Sequence, residues 1–143
     1  SILFRAQIPV ILPRDAVVAE AASATSEASQ VELNEVGDND MILDVGSASV
    51  AAYREAIKDA GTVLWNGPIG YSEFEQFASA SKQLAQMIID SQATSIIGGG
   101  DTAAFVDAHG WHDKFTWVST GGGASLDLIA GKSLPGIEAL LNA

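Results

Sequence analysis

Two runs of three glycines, Gly98-Gly99-Gly100 and Gly121-Gly122-Gly123, limit what this chain can fold into more than any other feature. Each follows a short, apolar, β-branched run (residues 94–97 and 115–119), and each opens a stretch with helical spacing (residues 102–108 and 124–130). A third strand-like run, residues 62–66, ends in Trp65-Asn66-Gly67-Pro68-Ile69-Gly70. Strands that alternate with helices read as βαβ units and a parallel sheet. In an open parallel sheet the carboxyl ends of the strands share one edge, and ligands bind there. The three glycine-rich turns are therefore predicted to converge on one site.

The rest of the chain extends the pattern. Further strands are predicted over residues 9–12 with 16–19 and over 41–45, mostly apolar on both faces, as buried parallel strands are. Residues 50–60 place Tyr53, Ala56, Ile57 and Ala60 on one helical stripe. Residues 73–91 do the same with Phe74, Phe77, Ser81, Leu84 and Ile88. Residues 20–40, rich in Ala, Ser and Glu without periodicity, read as an irregular surface connection. The predicted fold class is α/β, a parallel sheet flanked by helices. A length of 143 residues with 48% hydrophobic and 17% charged composition suits a single domain spanning 1–143.

Charge decides what such an edge could bind. A net charge of −11 argues against nucleic acid or an anionic membrane as partner, since both require a basic face. Phosphate in so acidic a chain must be met by backbone N–H groups and a metal ion, or by cations borrowed from elsewhere. Glycine suits this, because the missing Cβ lets main-chain amides approach an anion. A helix N-terminus adds about half a positive charge. Asp101 could hold Mg²⁺ and Thr102 could offer its hydroxyl to a phosphate oxygen. Taken alone, a glycine triplet reads as a flexible turn and Asp101 as a helix N-cap. Two triplets at adjacent strand ends, with Asn-Gly-Pro at a third, are harder to explain that way.

Other chemistries find less support. The chain has no Cys, so neither disulfides nor thiolate catalysis arise. His109 and His112 lack ligand partners at a metal-site spacing and read as ordinary histidines. No apolar run reaches the roughly 18 residues of a membrane span. The start, Ser1-Ile2-Leu3-Phe4-Arg5, has no Met and no leader pattern; it enters mid-pattern, as a fragment would, and the expected compartment is the cytoplasm. Gly98 to Ala103 fits the dinucleotide fingerprint G-x-G-x-x-A, but the next strand ends in Ser119-Thr120-Gly121 where that reading wants an acid for the ribose. Gly131-Lys132-Ser133 imitates the end of a P-loop, yet the required first glycine falls on Leu126 and the triplet follows a helix.

Taken in order, Trp65-Asn-Gly-Pro-Ile-Gly, Gly98-Gly-Gly-Asp-Thr-Ala-Ala, Ser119-Thr-Gly-Gly-Gly-Ala-Ser-Leu and Gly131-Lys-Ser-Leu-Pro-Gly resemble the phosphoglycerate kinases. Leu12-Pro13 with Asp15-Ala-Val-Val-Ala, and Leu43-Asp44-Val45-Gly46, are similar to that family too, so the resemblance covers essentially the whole chain. It implies a glycolytic, cytoplasmic, monomeric transferase of two Rossmann-like domains. Such an enzyme moves phosphate reversibly between 1,3-bisphosphoglycerate and MgADP, giving 3-phosphoglycerate and MgATP. The chain would be the C-terminal, ATP-binding part, without the N-terminal domain that binds the phosphoglycerate.

The resemblance also implies residue roles. Asn66 and Pro68 would lie along the nucleotide, Glu73 would take the ribose hydroxyls, and Met41 with Leu43 would border the adenine. Gly98, Gly99, Gly100, Asp101 and Thr102 would bind phosphates and magnesium, with Asp101 the metal ligand. Gly121, Gly122 and Gly123 would line the path of the transferred group, with Gly100 and Gly123 as catalytic backbone donors. Two positions depart from the pattern: Tyr71-Ser72-Glu73 stands where the family usually has Val-Phe-Glu, and Asp127 replaces a usual Glu. The family's arginine, basic substrate patch and Gly-Ala-Lys loop have no match here, and Lys58, Lys82, Lys114 and Lys132 fit none of those positions. A 143-residue piece of this kind is expected to be inactive alone. A non-catalytic nucleotide-binding module is the alternative.

Overall fold

A computed structural model describes residues 8–142. By their internal contacts the residues form two compact units, one of the described residues up to Asp59 with Ile69–Met87, the other of Ala60–Pro68 with the residues from Ile88 onward.

In the first unit, β1 (Asp15–Ala19) is the centre of a three-stranded sheet, with β2 (Ser29–Glu32) on one side and β3 (Met41–Val45) on the other. Both pairings are antiparallel, and the β1–β3 register shifts between Val17 and Val18. This corrects the expectation that residues 16–19 and 41–45 are parallel strands. An apolar run shows that a strand is buried, and the direction of its partner is not written in it. Residues 9–12 form no strand: Ile8, Val10, Ile11 and Leu12 are exposed, and Pro9 and Pro13 lack the N–H a ladder needs. Residues 20–40 are not wholly irregular, because β2 and a 3-10 turn at Leu33–Glu35 lie within them.

Helix α1 (Ser47–Ile57) starts three residues before the predicted 50, and α2 runs Ser79–Asp90 after a separate 3-10 turn at Glu75–Phe77. Two clusters fill the first unit's core. Ala19, Leu43 and Phe77 gather Val17, Ala22 and Phe74; Val50, Ala80 and Met87 gather Val45, Ile57 and Ile69.

The second unit contains the predicted parallel sheet. Strands β4 (Thr62–Asn66), β5 (Thr94–Gly98) and β6 (Trp117–Ser119) pair in that order, all parallel. Helix α3 (Gly100–Ala108) lies between β5 and β6 in sequence and packs on both; α4 (Gly122–Ile129) follows β6 and packs near β5. A last helix, α5 (Pro135–Leu141), begins with the proline that favours a first helical turn. The core is aromatic: Trp65 stands edge-on to Phe105 at 6.0 Å and tilted against Phe115 at 6.4 Å, beside the fully buried Ile97 and Val106. His109 is tilted against Phe105 and stacks on Trp111, its Nδ1 2.8 Å from the Phe105 carbonyl, and the exposed His112 Nδ1 lies 2.6 Å from Asp107 Oδ1. Part of this sheet's apolar surface is uncovered, with Leu64 36% and Trp117 68% exposed on its edge strands. No helix among the described residues is long and apolar enough to cross a membrane.

Candidate functional site

The parallel register makes the strand ends level. Asn66 pairs with Gly98, and Gly98 pairs with Ser119, so the three glycine-rich turns leave the sheet side by side. Short contacts lock them together. The Gly67 N–H donates to Thr102 Oγ1 at 2.8 Å, and the Trp65 indole N–H donates to the Gly67 carbonyl at 2.7 Å. The Gly99 N–H donates to the Ser119 carbonyl at 3.0 Å. A methyl group at Gly98 would meet Asn66 Nδ2 at 2.8 Å, so the Asn66 amide lies against the first triplet.

Two glycines here are dictated by geometry. Gly99 caps α3 at φ +97°, a conformation that side chains rarely adopt. At Gly122 a Cβ would come within 3.3 Å of the Gly99 Cα, so the two triplets approach backbone to backbone. Both neighbouring helices then start directly at the edge. The first intrahelical bonds are Ala103 N–H to the Gly99 carbonyl in α3 and Ser125 N–H to the Gly121 carbonyl in α4. The amides of Gly100 and Asp101, and those of Gly122 and Gly123, precede these bonds. Neither helix has a side-chain cap.

Asp101 is therefore not the N-cap that a sequence reading allows. It is exposed, in the first turn of α3, and its carboxylate makes no capping bond. Thr102, in contrast, is fully buried, and its Oγ1 accepts from Gly67, so the hydroxyl braces the turn after β4. Ser119 Oγ takes the Gly121 N–H at 3.2 Å and lies 3.0 Å from Ser125 Oγ, which fixes the second triplet's entry into α4. Pro68 is half-buried beside this turn.

Met41, Leu43 and Glu73 belong to the first unit. Met41 is 46% exposed and Leu43 is buried at 4%. The Tyr71 N–H donates to the Leu43 carbonyl at 2.7 Å, and the Phe74 N–H to the Tyr71 carbonyl at 3.1 Å, so Glu73 sits exposed in a tight turn. The Tyr71 and Phe74 rings stack at 5.5 Å with 15° between their planes. Aromatic residues that stack on each other, Tyr71 and Phe74, thus lie on either side of Ser72 in the chain. Sequence reading marks Tyr71 only as a departure and gives it no role of its own, although a large aromatic directly after the Gly70 turn is visible there.

The first unit also holds two buried carboxylates at helix starts. Asp15 accepts from the Ala48 and Ser49 amides at 2.9 Å each, from Ser49 Oγ at 2.5 Å and from Gln30 Nε2 at 3.0 Å. Burial pushes its pKa up, but the Ser49 hydroxyl and the backbone amides together outweigh that and hold it below the ordinary value. Asp44 accepts from the Ala80 amide at 3.0 Å and the Val45 amide at 2.8 Å. There burial wins over the amides of Ala80, Val45 and Ser79, and the pKa is raised.

A parallel sheet with glycine-rich turns on level strand ends, two of them leading directly into helices, defines a Rossmann-like α/β domain. The family model for phosphoglycerate kinase matches residues 2–132. The structure of phosphoglycerate kinase from Coxiella burnetii is similar at 42% identity and a TM-score of 0.83, covering 89% of this chain and 33% of that one. Phosphoglycerate kinase from Pyrococcus horikoshii OT3 is similar at 33% identity and a TM-score of 0.76, covering 90% of this chain and 32% of that one. This chain belongs to the phosphoglycerate kinase family, and it spans about a third of the length of these two relatives.

Proposed function

We propose that residues 1–143 are the C-terminal part of a phosphoglycerate kinase's nucleotide-binding domain, holding MgADP or MgATP while phosphate passes to or from a phosphoglycerate. One observation carries this reading. In a family of phosphate-transferring enzymes, two adjacent helices begin at glycine triplets with uncapped amides aimed at the same strand-end edge. Uncommitted amides at helix N-termini are anion sites that need no lysine or arginine.

In the second unit, the amides of Gly100 and Gly123 donate to the oxygens of the transferring phosphoryl group. Gly98, Gly99, Gly121 and Gly122 shape the backbone around the phosphates, Asn66 and Pro68 lie along the nucleotide, and Thr102 braces the turn from behind. In the first unit, Met41 and Leu43 border the adenine and Glu73 takes the ribose hydroxyls. Transfer of this kind depends on positioning and charge stabilisation, so fixed amides suffice as the chain's own catalytic groups.

Magnesium fits the donor set. Among the described residues no group of three or more ligating side chains forms a metal cage. Mg²⁺ is commonly held by one or two carboxylates together with substrate phosphates and water. Asp101, exposed at the edge and free of capping duty, is such a carboxylate. When bound, the ion neutralises charge on the phosphate oxygens.

By the resemblance, the basic patch for the phosphoglycerate belongs to the N-terminal domain, and none of Lys58, Lys82, Lys114 and Lys132 matches it. Lys82 pairs with Glu75, and Lys132 pairs with Asp127 at 2.7 Å. The test is a calorimetric titration of the 143-residue chain with MgADP, MgATP and NAD, followed by a turnover assay with MgATP and 3-phosphoglycerate. Nucleotide binding without turnover, with NAD bound far more weakly, is the expected result. Tighter binding of NAD than of MgADP overturns the assignment, and turnover by this chain alone shows that the catalytic cations were misplaced.

A further inference from the structure

In the first unit a cleft of about 250 Å³ is lined by Ile42, Leu43, Asp44, Val45, Gly70 and Tyr71. It falls below the roughly 300–1,000 Å³ of pockets that enclose a whole drug-sized ligand. It has room for one flat ring system. Its walls are apolar or aromatic except for Asp44, and both oxygens of that buried carboxylate are held by backbone amides. No uncommitted charge faces the occupant, so the cleft suits an uncharged ring and not a phosphate.

The aromatic wall is rigidly placed. The Tyr71 backbone is tied to Leu43 at 2.7 Å. The turn before it admits only glycine, because Gly70 has φ +75° and a Cβ there would meet the Phe77 carbonyl at 2.4 Å. The Tyr71 ring lies flat on Phe74, which stands edge-on to the fully buried Phe77 at 6.5 Å. The Phe74 ring thus packs on Tyr71 from its own chain, while Tyr71 remains 45% exposed and lines the cleft. A pre-placed ring of this kind loses little entropy when another ring stacks on it.

We propose that Tyr71 is a base-contacting, specificity-determining residue: it stacks on the purine of the bound nucleotide and gives this chain an aromatic contact that the valine usual at this position does not provide. The inference rests on the nucleotide-binding reading above and assigns Tyr71 a role which that reading leaves open. Two consequences distinguish it. Affinity held by Tyr71 belongs to the base, so adenosine feels its loss as strongly as MgADP does. A phenyl ring replaces it, whereas a branched aliphatic does not.

The experiment is calorimetric titration of the full chain and its Tyr71→Phe, Tyr71→Val and Tyr71→Ala variants with MgADP, adenosine and inorganic pyrophosphate. Near-ultraviolet circular dichroism confirms the fold of each variant. Expected is a loss of about tenfold in affinity for both MgADP and adenosine in Tyr71→Ala and Tyr71→Val, the scale of one base–aromatic stack. Tyr71→Phe keeps the parental affinity, and pyrophosphate affinity stays unchanged throughout. If the parent chain binds MgADP but all the variants bind it and adenosine equally well, the Tyr71 inference fails and the nucleotide reading stands. If the parent chain binds neither MgADP nor adenosine, both fail. An equal loss for pyrophosphate in Tyr71→Ala makes Tyr71 a structural support and overturns the stacking role.

Discussion

The two units treat the same problem, the unsatisfied amides of a helix start, in opposite ways. In the first, α1 and α2 are closed by the chain's own side-chain oxygens: the Asp15 carboxylate takes the Ala48 and Ser49 amides, the neutral Gln30 Oε1 takes Ser47, and the Asp44 carboxylate takes Ala80. In the second, α3 and α4 open on glycines with no side-chain cap. An acidic protein with a net charge of −11 has carboxylates to spare, so the missing caps at two neighbouring helices do not reflect a shortage of suitable residues. Closed helix starts serve stability. Open ones leave donors for an anion from outside the chain. The contrast separates the scaffold from the candidate site without reference to any relative.

The sharpest way to break the contrast is to open a closed helix. Asp15→Ala removes the acceptor of four hydrogen bonds at a side chain that is 1% exposed. Hydrogen bonds to charged groups contribute about 1.5–3 kcal/mol each, so a loss of about 3–5 kcal/mol is expected after partial relaxation. Urea unfolding measures it. A loss below about 1 kcal/mol would mean that the cap is incidental.

The reverse experiment removes a donor from an open helix. Gly100→Pro deletes one amide hydrogen at the first helical position, where proline is well tolerated, and the preceding Gly99 already has ψ 146°. A Cβ at Gly100 meets nothing within 4 Å. Stability should hardly change, whereas MgADP affinity should fall about tenfold or more, the worth of one charge-assisted bond. Unchanged affinity would remove Gly100 from the phosphate site.

Asp101→Asn is expected to act more narrowly. It keeps the side chain's size, removes its charge, and costs about 0.3–1 kcal/mol of favourable interaction with the helix dipole. Affinity for MgADP should drop several-fold while affinity for metal-free ADP holds or rises. Equal effects on both would count against a metal role.

How much of this was legible beforehand differs between the units, and for a physical reason. Strands β4 to β6 are joined by helices and punctuated by glycine, so their parallel order and convergent turns follow from local pattern. The first unit depends on contacts between residues 33 to 36 apart, such as Asp15 with Ser49 and Asp44 with Ala80, which no local window displays. The polar, exposed β2 has no apolar alternation to announce it. At the candidate site, residue types mark Asn66, the triplets and Asp101 as candidates. The buried placement of the Thr102 hydroxyl and the stacking of Tyr71 on Phe74 required the folded backbone.

The smallest expected effect concerns pH, and the two buried acids should give opposite signs. The Asp15 pKa is lowered from 3.8, so its stabilisation is present above that value and is lost as pH falls through the depressed folded pKa. The Asp44 pKa is raised from 3.8, so its contribution is present below that value and is lost as pH rises through the folded pKa. Urea midpoints followed from about pH 3 to 7 should lose their acid-side decline in Asp15→Asn and their decline above 3.8 in Asp44→Asn. Identical profiles in the parent chain and both variants would contradict these assignments.

The central claim is that the helix starts of the second unit are open to an anionic ligand and those of the first are not. Amide-resolved NMR of the chain, titrated with MgADP, tests it most directly. The account predicts saturable shifts at Gly100, Asp101, Gly122 and Gly123, with the amides of Ala48, Ser49 and Ala80 unmoved. Shifts of equal size at the capped helices, or none at the glycine triplets while MgADP binds elsewhere, would contradict it.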